Sequence, residues 1–132
     1  MHPNEELFRR LLEVWGSGDR EGAARFFAED AVFHHPGPGP LQGDHRGRDG
    51  IVRFWAEQDR LTGGGFRPEF LGLVADDERV YLLVRFATAD ESISFHRAVV
   101  YDIEDGEFAA ARFFEDDPEA AVAFFSAPQG SG

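Results

Sequence analysis

The hydrophobic period of this chain turns from mainly helical to strand-like near residue 66, and that switch narrows its possible folds more than any other feature. Before the switch, Leu7, Phe8, Leu11, Leu12 and Trp15 recur at helical spacing, with Glu5, Arg9, Arg10 and Glu13 on other faces, which predicts an amphipathic helix over Glu5 to Trp15. Gly16-Ser17-Gly18-Asp19 ends it. Asp19 is placed to cap a second helix over Arg20 to Ala28, with Ala24, Phe26 and Phe27 on its apolar side, and the two helices are expected to pack as a hairpin. Ala31 to His35 reads as a short strand. Pro36-Gly37-Pro38-Gly39-Pro40 stops it, because proline offers no ladder donor. After a polar stretch to Arg48, Asp49 is expected to cap a third helix that buries Ile51, Phe54, Trp55 and Leu61 and ends at Thr62-Gly63-Gly64-Gly65.

Past the switch, Phe66 to Val74, Arg79 to Thr88, Ser92 to Glu104 and Glu107 to Glu115 are rich in Val, Phe, Leu, Ile and Tyr and are separated by acidic or glycine turns, which predicts an antiparallel meander. Helices followed by consecutive strands give an α+β class, with three N-terminal helices packed on one face of a curved, mainly antiparallel sheet, and not a βαβ nucleotide fold. Gly63-Gly64-Gly65 precedes a strand instead of opening a helix, so it reads as a linker and not as a phosphate loop. The acidic run Glu115-Asp116-Asp117 suits the start of a short helix from Pro118 to Phe125, because negative charge is favoured at a helix N-terminus. At 132 residues one core is expected, with a single domain over 1–126 and a frayed tail over 127–132.

Charge excludes whole classes of partner. With 25 acidic against 13 basic residues the formal net charge is -12, a field that repels nucleic-acid phosphates and anionic headgroups, so neither nucleic acid nor membrane is expected as a partner. There is no Cys, hence no disulfide framework and no thiol chemistry, and no apolar run approaches a membrane span; a soluble cytoplasmic protein is the expectation. His34, His35, His45 and His96 include no His-x-His pair, so no metal is expected, and no motif calls for a cofactor.

Several segments carry a family resemblance: Gly18-Asp19; Phe27-Ala28-Glu29-Asp30-Ala31-Val32-Phe33-His34-His35-Pro36; Gly43; Arg46-Gly47-Arg48-Asp49-Gly50-Ile51; and Tyr101-Asp102-Ile103-Glu104-Asp105-Gly106. In their order and spacing they resemble the SnoaL-like and ketosteroid-isomerase-like branch of the nuclear transport factor two-like superfamily. The resemblance implies a conical α+β barrel, often a homodimer formed through the sheet, with a pocket between helices and sheet. It implies no single reaction, because members include isomerases, polyketide cyclases, epoxide hydrolases, dehydratases and proteins without catalysis.

In the steroid isomerases of this family a carboxylate just before a proline shuttles the proton, and a tyrosine and a protonated aspartic acid form the oxyanion hole. By this resemblance His35 falls at the base position, Leu11 at the tyrosine and Val99 at the aspartic acid. Loss of one oxyanion donor typically costs roughly 2.7–4 kcal/mol of transition-state stabilisation. A chain lacking both is not expected to be an efficient ketosteroid isomerase. The same correspondence places Leu11, Trp15 and Trp55 on one wall of the pocket. On the last two strands it turns Arg97, Val99 and Tyr101, and Ala109, Ala111, Phe113 and Glu115, inward, as strand alternation groups them. An inward Arg97 needs a partner, either Glu115 or a ligand carboxylate.

The resulting expectation is an apolar cleft for a small hydrophobic ligand or substrate. His35 is the candidate catalytic acid or base, since imidazole exchanges a proton near neutral pH, and Leu11, Trp15, Trp55, Arg97, Val99, Tyr101, Ala111, Phe113 and Glu115 are the candidate ligand contacts. His34 should face the opposite side of its strand. Two functions follow: a cofactor-independent isomerase, cyclase, lyase or hydrolase working through His35, or a non-catalytic small-molecule binder or dimeric accessory module.

Overall fold

The computed structural model describes residues 1–63 and 67–126. Gly64, Gly65 and Phe66 of the expected linker and strand, and the expected tail over 127–132, lie outside the described residues. In chain order the elements are α1 (Pro3–Gly16), α2 (Arg20–Ala24), β1 (Phe27–His35), β2 (Gly43–Arg46), α3 (Gly47–Leu61), β3 (Glu69–Ala75), β4 (Arg79–Ala87), β5 (Ser94–Glu104), β6 (Glu107–Glu115) and α4 (Pro118–Ser126). The class is the α+β arrangement its change of period predicts.

The six strands form one sheet in the order β2-β1-β6-β5-β4-β3. From β3 to β6 it is an antiparallel meander, and β1 joins β6 in parallel, placing the N-terminal half of the chain beside the C-terminal strand. Register shifts in the β1–β6, β3–β4 and β5–β6 pairings bend the sheet. It curls without closing, since β2 and β3 remain its edges.

Each helix follows from its local residues. Asp19 caps α2 by accepting a hydrogen bond from the Gly22 N–H at 2.9 Å. Asp117 does the same for Ala120 at the start of α4. Asp49, by contrast, does not cap α3. The helix begins two residues earlier, Arg46 occupies the cap position without a side-chain bond, and Asp49 lies in the first turn, where its charge suits the helix dipole.

Two further boundaries differ from the sequence reading. The second helix ends at Ala24, not Ala28, because Phe27 pairs with Phe108 on β6 and the Phe26 carbonyl accepts the Phe108 N–H; pairing across the sheet overrides local helical spacing. The polar stretch before Arg48 hides β2, a short outer strand paired with β1 from Val32↔Arg46 to His35↔Gly43. An edge strand with exposed side chains carries no apolar alternation, so its pattern is silent.

The core lies between the concave face of the sheet and α1 and α3. Phe8, Phe27, Phe33, Phe54 and Phe108 are almost wholly buried there, each burial worth roughly 1.5–3 kcal/mol. A second aromatic group, Phe86, Phe95, Phe124 and Phe125, seats α4 against β5 at the other end of the sheet.

Candidate ligand-binding site

A cavity of about 70 Å³ opens between α1, α3 and the concave face. Helix α1 contributes Phe8, Leu11, Leu12 and Trp15, α3 contributes Phe54, Trp55 and Gln58, and β4, β5 and β6 contribute Leu82, Val84, Phe86, Arg97, Val99, Tyr101 and Phe113. Leu12, Trp15, Pro68 and Phe70 are partly exposed and form the mouth, whereas Gln58, Arg97 and Phe113 are buried and form the floor. At the mouth the Arg20 guanidinium lies 4.0 Å over the Trp15 ring and reaches Asp59 on α3 at 3.5 Å, holding that wall in place.

The floor is polar and nearly closed to water. Alternation along β5 turns Arg97 inward, and the pairing of Arg97 with Glu115 across β5 and β6 puts both side chains on one face. Arg97 Nε donates to Glu115 Oε2 at 2.7 Å and Nη1 donates to Gln58 Oε1 at 2.6 Å. Its plane packs over Phe86, Phe113 and Phe125 at 4.9, 5.2 and 5.3 Å. Nη2 has no hydrogen-bond partner among the described residues. Burial works to raise the Glu115 pKa, but contacts with His35 and Arg97 outweigh it and hold the carboxyl below its ordinary value. For Arg97, burial disfavours the charged form and Glu115 opposes that effect. Burial also raises the Tyr101 phenol well above its ordinary pKa, against the pull of Arg97.

His35 sits behind this floor, not on it. Strand β1 buries Phe33 and His35 on one face, and the His35 ring packs against Phe54 and Phe113, with centroids at 6.3 and 5.8 Å. Gly37, at φ +77°, turns its N–H back onto His35 Nδ1 at 3.1 Å, a backbone shape that favours glycine. Nδ1 is therefore the acceptor and the proton belongs on Nε2. Glu115 Oε1 lies 3.1 Å from Nε2 but off the line of a hydrogen bond. Both nitrogens thus face protein groups.

Of the residues expected in the cleft, Leu11, Trp15, Trp55, Arg97, Val99, Tyr101 and Phe113 line the cavity. His35, Ala111 and Glu115 do not. Ala111 is fully buried between Phe33 and Tyr101 on the neighbouring strands, and its methyl is too short to reach past them. Glu115 is turned sideways onto Arg97 and His35. His34 faces the opposite side of the sheet and pairs with Asp44 at 2.8 Å. Among the described residues no group of three or more His, Cys, Asp or Glu could hold a metal ion. Gln58 was missed, although a signal exists: it falls four residues after Phe54 and three after Trp55, on the buried stripe of α3. Phe8, Leu82, Val84 and Phe86 carry no signal separating a cavity wall from ordinary core.

Helices on the concave side of an open, curved six-stranded sheet define an α+β fold of the nuclear transport factor two-like class. Within it, this chain belongs to the SnoaL-like domain family, whose model matches residues 8–111. Among solved structures it is similar to Bal32a from a soil-derived mobile gene cassette, at 27% identity over 92% of this chain and 95% of that one, with a TM-score of 0.81. It is also similar to an NTF2-like protein of unknown function from Burkholderia pseudomallei, at 20% identity over 96% and 100% of the two chains and a TM-score of 0.79. TerC, co-crystallised with polyporic acid, matches at 19% identity over 96% and 100%, with a TM-score of 0.77. No curated protein matches the chain. Among the described residues no helix is long and apolar enough to cross a membrane.

Proposed function

We propose that this protein binds a small hydrophobic molecule, flat enough to lie among aromatic rings, in the cavity on the concave face. The observation that supports this most is the lining itself: Trp15, Trp55, Phe54, Phe113 and Tyr101 surround a hollow that the core leaves unfilled, with a few polar groups on its surface. Among the described lining residues the titratable side chains are Arg97 and Tyr101, neither of which is a base near neutral pH. Binding without proton abstraction is therefore the favoured reading, with His35 acting to position Glu115. The two tryptophans provide the test. Titration with small aromatic compounds should change their fluorescence in a saturable way that Leu11→Trp, which fills the hollow, abolishes. Unchanged fluorescence with every compound, or binding unaffected by Leu11→Trp, would count against the pocket.

A second reading is favoured by the Glu115–His35 contact, since an acidic partner is what orients a catalytic imidazole. There the protein is a cofactor-independent isomerase, cyclase or hydrolase: with Nε2 facing Glu115, the Gly37 N–H must be released and Phe113 must swing aside for Nδ1 to meet substrate. His35→Ala separates the two: an enzyme loses turnover and keeps ligand, whereas a binder shows no turnover before or after the change.

We also propose a homodimer formed through the convex face. Two apolar rows cross it, Val74–Tyr81–Val100 and Leu83–Ala98–Phe114, and Val74, Tyr81, Leu83 and Phe114 are all exposed large side chains. Light scattering should give twice the chain mass at micromolar concentration; a monomer there removes the proposal.

A further inference from the structure

The floor of the cavity carries a charge rule for whatever occupies it. Arg97 is 3% exposed, its Nε and Nη1 are occupied by Glu115 and Gln58, and Nη2, itself closed to water, is left without a partner on a side chain that lines the hollow. A buried guanidinium donor with nothing to donate to is costly, and an oxygen acceptor on the ligand relieves that cost. The charges around it already cancel. Arg97 is balanced by Glu115, and Gln58 is neutral. Tyr101, the other titratable group on the cavity wall, is kept protonated by burial.

We propose that Arg97 Nη2 is a specificity-determining donor for an uncharged ligand oxygen, such as a ketone, quinone or ester carbonyl, and that Glu115 makes the site reject carboxylates of the same shape. An incoming carboxylate would leave the buried cluster with one net negative charge beside the Glu115 oxygens, within a chain that already carries -12. A neutral carbonyl accepts the spare N–H and leaves the balance unchanged. This inference rests on the pocket reading and adds the polarity and charge of what the pocket takes.

Three probes of similar size test it: acetophenone, benzoate and ethylbenzene, each titrated into the wild-type protein at pH 7 with tryptophan fluorescence or calorimetry as the readout. Acetophenone should bind about tenfold more tightly than ethylbenzene, the gain expected for one hydrogen bond to a charged donor, and benzoate should bind more weakly than acetophenone by at least as much. Glu115→Gln keeps the side-chain shape but leaves the cluster with one positive charge, and it should reverse the order of acetophenone and benzoate. Equal binding of acetophenone and ethylbenzene, or preference for benzoate in the wild type, overturns the charge rule while leaving the pocket standing. Failure of all three probes to bind removes both. The wild-type comparison decides the outcome even if the variant does not fold.

Discussion

Two ends of one strand meet the same cavity on opposite principles. At the Tyr101 end of β5 the wall is made of rings: Phe8 at 4.8 Å, Phe108 at 5.7 Å and Phe27 at 6.3 Å from the Tyr101 centroid, tilted or edge-on, as aromatic quadrupoles prefer. Four residues back, roughly 13 Å along the strand, the Arg97 end is a buried cluster of ions and dipoles. The ring end is held by many small contacts and can give up one of them. The charged end is held by few strong ones, each of which leaves an uncompensated group behind when removed. The comparison therefore predicts graded losses at one end and coupled losses at the other.

The sharpest break is Arg97→Ala, which strands Glu115 in the interior and should cost about 3–5 kcal/mol in denaturant unfolding. The double variant Arg97→Met with Glu115→Leu should recover most of that loss, and additive losses would show that the cluster is not coupled. At the ring end, Leu11→Ala should cost about 2 kcal/mol, near the low end for such changes because the site borders a hollow that can adjust, and it should add simply to changes at the charged end.

A smaller effect separates the ends by pH. Glu115 is held below its ordinary value of 4.5, so folded protein binds fewer protons there than unfolded chain does. Its stabilisation is complete above that ordinary value and is lost as pH falls through the depressed folded one. The acid limb of a stability curve measured by thermal melts should accordingly be shallower in Glu115→Gln than in wild type, while Leu11→Ala should lower the curve without changing its slope. The smallest effect on folding lies outside both ends. Leu83→Lys on the convex face should shift stability by about 0.5 kcal/mol or less, yet it should halve the mass seen by light scattering if the faces pair.

Much of this was legible from periodicity. The helical stripe of Phe8 and Leu11 and the alternation of Arg97, Val99 and Tyr101 assign each residue to a face, and faces are a property of local geometry. Phe27 was misplaced because its neighbours look helical, and the residue that claims it, Phe108, stands far along the chain. His35 was assigned to the right face of β1, but a face is not a depth: Phe54 and Phe113 stand between its ring and the hollow.

By itself the amino-acid order determined the α+β class and which side chains of each strand share a face, and the family resemblance turned one such face inward, with an arginine that must find a partner. The class and the shared faces follow from side-chain periods of two and 3.6 residues, and the need for a partner from the cost of burying charge, both of which act locally. Tertiary structure alone decided that Glu115 and Gln58 take two of the three guanidinium nitrogens of Arg97, that Nη2 is left over, and that His35 stands behind the wall. Those outcomes depend on distances between segments brought together when β1 docks beside β6, and no local pattern encodes them.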